Sequence, residues 1–118
     1  MLAEYADYMV TTAETSYAEK RAHRRFPASE LRGLRAARVK YGQEVSVIDL
    51  SSGGVLFETT GELKPDSTIV LEFAGPTRTF LIPSRVVRCH ELGTFDNSPR
   101  LEGACVFRRP LPLEDLVG

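Results

Sequence analysis

Two short clusters concentrate the side chains best suited to hold a ligand. The first, Arg21-Ala22-His23-Arg24-Arg25-Phe26-Pro27, contains an Arg-x-x-x-Arg pair, and the second, Asp49-Leu50-Ser51-Ser52-Gly53-Gly54, is an Asp-x-Ser-x-x-Gly turn. A guanidinium can fork onto an oxyanion with two parallel hydrogen bonds and can stack on a flat ring, roles that lysine cannot fill. An ionised carboxylate accepts from N–H donors, and a hydroxyl both donates and accepts. Glycine, lacking Cβ, lets the backbone come close to whatever lies beside it. Each cluster also has a plainer reading. Arginine runs commonly face water or pair with nearby acids, and Asp, Ser and Gly together commonly build a turn through local hydrogen bonds.

The charge distribution favours a ligand. Net charge is −1, yet residues 1–19 hold Glu4, Asp7, Glu14 and Glu19 and no basic residue. The next stretch holds Lys20, Arg21, Arg24, Arg25, Arg32, Arg35, Arg38 and Lys40 against Glu30 alone. A local basic segment on a nearly neutral protein suits one compact anion, whereas wrapping a long polyanion needs a broader positive footprint. With aromatic residues at 8% and no Trp, the stacking platforms of a nucleic-acid-binding barrel are also missing.

Other chemistry finds little support. Cys89-His90 with Cys105 gives too few ligands, at the wrong spacing, for zinc; a buried thiol beside a surface imidazole is the simpler reading. His23 reads as exposed. Glu58, Glu62 and Glu72 form no acid–base pair, and no nucleophile motif or phosphate-cradling loop is present. The sequence therefore reads as a binding module and not an enzyme, with no cofactor and no metal.

These clusters need a scaffold, and 118 residues suffice for one domain with its own core. Residues 1–19 place Leu2, Tyr5, Met9, Ala13 and Tyr17 near helical spacing, but Thr11-Thr12 weaken the pattern, which leaves a short helix or a flexible arm. From about Leu34 the period becomes two. Val45–Ile48, Val55–Phe57, Ile69–Phe73, residues 78–89 and Leu101–Phe107 read as short strands between turns, with Pro83 marking a bulge or an edge. The pattern predicts an all-β fold, a six-stranded antiparallel barrel over residues 20–109, because closure protects the edges of such short strands. Residues 110–118 form a C-terminal tail in which Leu113-Glu114-Asp115-Leu116 could begin a helix. No apolar run is long enough to span a bilayer, and the acidic N-terminus lacks a signal-peptide pattern, so a cytoplasmic protein without membrane insertion is expected. Two cysteines fit that compartment.

Taken together, the two clusters and the strand pattern resemble the PilZ domain family, whose members are commonly receptors for the bacterial second messenger cyclic di-GMP. The resemblance runs from about Lys20 to Phe107. It includes both motifs in order, the Leu63-Lys64-Pro65-Asp66 turn, Arg85-Val86-Val87-Arg88, and the closing Glu102-Gly103-Ala104-Cys105-Val106-Phe107. It implies that Arg21, Arg25, Asp49, Ser51 and Gly54 bind cyclic di-GMP, with Lys20, Arg24 and Gly53 as secondary candidates. The chemistry agrees: arginine can fork onto phosphate or onto guanine O6 and N7, and Asp49 can accept from the guanine N1–H and N2–H₂ edge. The expected function is signal transduction to a protein effector of unknown identity through ordering of the N-terminal segment. The alternatives are a PilZ-like interaction module that binds protein only, or a nucleic-acid-binding barrel of the OB type.

Overall fold

Short runs of β-branched and aromatic residues, alternating with polar ones, pair into one continuous antiparallel sheet. The computed structural model describes residues 23–117. Its strands are β1 (Phe26–Pro27), β2 (Ala36–Val39), β3 (Glu44–Leu50), β4 (Gly54–Thr59), β5 (Thr68–Ala74), β6 (Thr79–Phe95) and β7 (Ser98–Phe107), with one 3-10 turn at Ala28–Glu30. Six of them close a ring in the order β2-β5-β6-β7-β4-β3, the last pairing back to β2. This is the expected six-stranded barrel. The two-residue β1 adds to the end of β3, pairing Phe26 with Leu50 and Pro27 with Asp49. The helix or arm expected over residues 1–19 lies outside the described residues, as do Lys20 and, in the first cluster, Arg21 and Ala22. No helix among the described residues is long and apolar enough to cross a membrane.

Inward-facing residues fill the barrel. Leu50, Phe57, Leu71, Phe73 and Val86 are fully buried, and Phe73 meets Phe107 edge-to-face with ring centroids 5.7 Å apart. Phe57 lies opposite Gly103 in the β4–β7 ladder, where a Cβ would come within 2.8 Å of its ring. The small residue makes room for the large one.

Two strand readings need correction. Pro83 marks no bulge, since the β5–β6 register runs unbroken through the Val70–Pro83 pair. It does occupy an edge position, because the ladder to β7 begins only at Ser84. β6 also continues to Phe95, well past residue 89. There it turns into β7 through Asp96 and Asn97, both with positive φ (53° and 65°). Asp and Asn tolerate that region, and two such residues form the tight turn whose twist matches a hairpin.

The residues set apart as a tail complete the core. Leu111 and Leu116 are fully buried, and the Gly33 N–H donates to the Leu116 carbonyl at 2.9 Å. The expected helix at Leu113–Leu116 amounts to a turn, closed by Leu116 and Val117 N–H groups on the Leu113 carbonyl.

Candidate ligand-binding site

The pairing of β1 with the end of β3 brings the two clusters together. Arg25 immediately precedes β1, and Asp49 pairs with Pro27 on one side and Leu56 on the other. The Arg25 Nε lies 3.9 Å from Asp49 Oδ1, with the side chains 63% and 24% exposed. That is a loose pair at the rim of a half-buried carboxylate. Such an exposed contact adds little to stability by itself. Burial pushes the Asp49 carboxyl above the usual aspartate range, and the positive charges of Arg25 and Arg88 partly offset it.

The turn following Asp49 is held from within. The Ser51 Oγ accepts from the Gly53 and Gly54 N–H groups, both at 3.1 Å, while the Ser51 N–H donates to the Gly54 carbonyl at 2.9 Å. The hydroxyl therefore shapes the loop from within, and its own proton is directed at the Gly54 carbonyl over a long 3.5 Å contact. The barrel also fastens the turn: Phe107 N–H donates to the Gly53 carbonyl and Leu111 N–H to the Ser52 carbonyl, each at 2.9 Å. Gly54 needs its missing Cβ for a structural reason, since a Cβ there would lie 2.7 Å from the Cys105 carbonyl oxygen across the ladder. At Gly53 a Cβ would sit 2.9 Å from the His23 ring.

His23 has a contact that the sequence does not reveal. Its Nδ1 is 2.8 Å from the Ser52 Oγ, so the ring is exposed yet tied to the turn. Arg24 points elsewhere, stacking on Phe26 at 4.4 Å and pairing with Glu30 at 3.6 Å. The first cluster thus divides its labour: His23 and Arg25 face the turn, and Arg24 is occupied by its own segment.

Arg88 is the residue that sequence reasoning missed at this site. It lies on β6, and its positive charge favours the ionised Asp49 as that of Arg25 does. The Arg85-Val86-Val87-Arg88 stretch marks its segment without giving Arg88 a role, because only the closed sheet brings Asp49 and Arg88 into one row. The thiols are unrelated to the site's chemistry: both cysteines are free, and burial, with a smaller effect from Cys89, pushes the Cys105 thiol up to about 12.

The fold and site define a small closed barrel that presents arginine and carboxylate groups on its outer rim. The PilZ domain family model matches residues 19–117, nearly the whole chain, and the chain belongs to the PilZ domain family. No curated protein and no solved structure matches it significantly.

Proposed function

We propose that this protein is a receptor for cyclic di-GMP, which it binds without chemistry between the arginine segment and the Asp49–Gly54 turn. The observation that carries the reading is the loose Arg25–Asp49 pair, two opposite charges held together at the surface but not saturated by one another. Arg21 and Arg25 grip phosphate oxygens or guanine edges, Asp49 accepts from the guanine N–H edge, and the Ser51 hydroxyl redirects its proton from the long Gly54 contact to the ligand. Gly54 keeps the loop close to the barrel; Lys20 and Gly53 play secondary parts, and Arg24 joins them only by leaving Phe26 and Glu30. Calorimetry with the full chain should show cyclic di-GMP binding with micromolar affinity or tighter, and much weaker binding of GTP and cyclic GMP. An absence of heat at about one millimolar ligand, an affinity worth only ~4 kcal/mol, overturns the reading.

The signal passes on when ligand fixes the segment around Arg21–Arg25, and with it residues 1–20, against the barrel for an effector to read. The basic run Lys20, Arg21, Arg24 and Arg25 repels itself, and a dianion between it and the turn cancels that repulsion. A seat is at hand: Phe26, directly after the arginines, lines an apolar groove of about 440 Å³ with Leu111, Pro112, Leu113 and Val117. Trypsin cleavage after Lys20, Arg21, Arg24 or Arg25 should slow markedly once ligand is added. Equal cleavage rates at saturating ligand would show that the signal leaves by another route.

A further inference from the structure

Three register shifts interrupt the ladders among the described residues, and two of them, at Ile48 and Val87, re-aim a charged side chain. In β3, Val45 and Val47 face the core, so strict alternation would turn Asp49 inward as well. The extra residue at Ile48 restores Asp49 to the outer face, opposite Leu56. In β6, Phe80, Ile82, Ser84 and Val86 face the core, so alternation would drive Arg88 inward. The extra residue at Val87 turns Arg88 out, opposite Ala104. Ala104 is in turn the partner of Leu56. Asp49, Leu56, Ala104 and Arg88 therefore form one unbroken row across β3, β4, β7 and β6.

Resting on the nucleotide reading above, we infer that Arg88 is a further ligand-binding residue, gripping the far side of a cyclic dinucleotide whose base lies over Leu56 and Ala104. A bulge leaves a residue unpaired and disrupts the ladder locally, and such bulges cluster beside functional sites, where they redirect side chains. Arg88 takes part in no ion pair among the described residues, whereas its neighbours do have partners. Arg85 is held by Asp66 at 3.3 Å and Arg108 by the Thr68 hydroxyl at 3.0 Å. Between the two charges Leu56 and the small Ala104 leave an apolar floor suited to the flat face of a purine. Arg25 and Asp49 engage one side of the ligand, and Arg88 closes the other with a phosphate fork or a guanine O6/N7 contact.

The test is calorimetry with cyclic di-GMP on the unsubstituted chain, Arg88→Ala and Arg38→Ala at pH 7 and pH 8.5. Arg38 is a control on another part of the barrel, paired with Glu72. Arg88→Ala should weaken binding about 10- to 100-fold at both pH values, as expected for a lost charged hydrogen bond, with an unchanged thermal midpoint. Arg38→Ala should stay within about threefold of the unsubstituted chain, the ordinary scatter of a surface change. If the unsubstituted protein binds and Arg88→Ala matches it, this inference falls while the receptor reading stands. A loss at pH 7 that disappears at pH 8.5 would place Arg88 as a group acting only through ionisation of Asp49, which also overturns direct contact. An unsubstituted chain that does not bind removes the receptor reading, and the inference with it.

Discussion

Asp49→Ala and Arg25→Ala should each nearly abolish cyclic di-GMP binding while the barrel remains folded. Each removes one partner of a charged hydrogen bond that becomes desolvated under the ligand. Such a loss is worth ~1.5–3 kcal/mol, or about 10- to 150-fold in affinity, and more where the remaining partner is left buried and unpaired. Arg38→Ala, distant from both clusters, should change affinity little. Equal losses at all three positions would instead indicate a diffuse basic surface.

The fold should tolerate loss of Asp49 for a reason visible in its surroundings. Its folded-state pKa is raised, with burial the largest cause and Arg25 and Arg88 opposing it. A raised carboxyl pKa contributes stability that is fully present below the unfolded-state value and is lost as pH rises through the folded-state value. At neutral pH the ionised Asp49 is therefore a net cost to folding, and Asp49→Asn should leave thermal stability unchanged or slightly higher. Binding carries the opposite sign. The ligand's N–H edge needs the ionised form, so affinity should fall as pH drops through a value above the ordinary aspartate range. In Asp49→Asn that acid dependence should vanish along with most of the affinity. Calorimetry from pH 4 to pH 8 measures both; an acid limb that persists in Asp49→Asn would assign the titration to another group.

The sequence carried the barrel because most of its strands obey a strict period of two. Ile69, Leu71 and Phe73 face one side, and Leu101, Gly103, Cys105 and Phe107 do the same on the closing strand. It also carried Arg25 and Asp49, since both motifs are local and the chain needs only a two-residue strand to join them. What escaped were features that depend on breaks in the period or on contacts across the closed sheet. Read by parity, Asp49 and Arg88 both point inward, and nothing at Ile48 or Val87 marks an inserted residue. The hairpin end was legible in principle, since Asp96-Asn97 is a pair that favours left-handed backbone. The His23–Ser52 contact joins residues 29 positions apart in the chain, a pairing no local pattern encodes. The tail was set apart because Pro110 and Pro112 interrupt any period, although Leu111 and Leu116 are core residues.

That tail yields the largest expected change in stability, and through it a change in binding. Leu116 is fully buried, its carbonyl accepts from Gly33, and one of its methyl carbons lies 3.2 Å from the Cβ position of Gly75. A Cβ on Gly33 would overlap the carbonyl oxygen of Asp115, so the loop before β2 and the tail are fitted closely, with little room to collapse around a lost side chain. Leu116→Ala should therefore cost ~2–5 kcal/mol, the range for burying a cavity where a leucine stood. In a domain of this size that amounts to roughly 8–20 °C in the thermal midpoint. Leu81→Ala, on an exposed part of β6, should cost under about 1 kcal/mol. The second effect follows from Leu111, whose N–H holds the Ser52 carbonyl while Phe107 holds that of Gly53. Loosening the tail relaxes one of the two backbone bonds that set the Asp49–Gly54 turn, so Leu116→Ala should also weaken cyclic di-GMP binding several-fold at a temperature where it remains folded. Denaturation and calorimetry on the same sample decide the point. A large stability loss with unchanged affinity would show that the turn holds its shape without the tail.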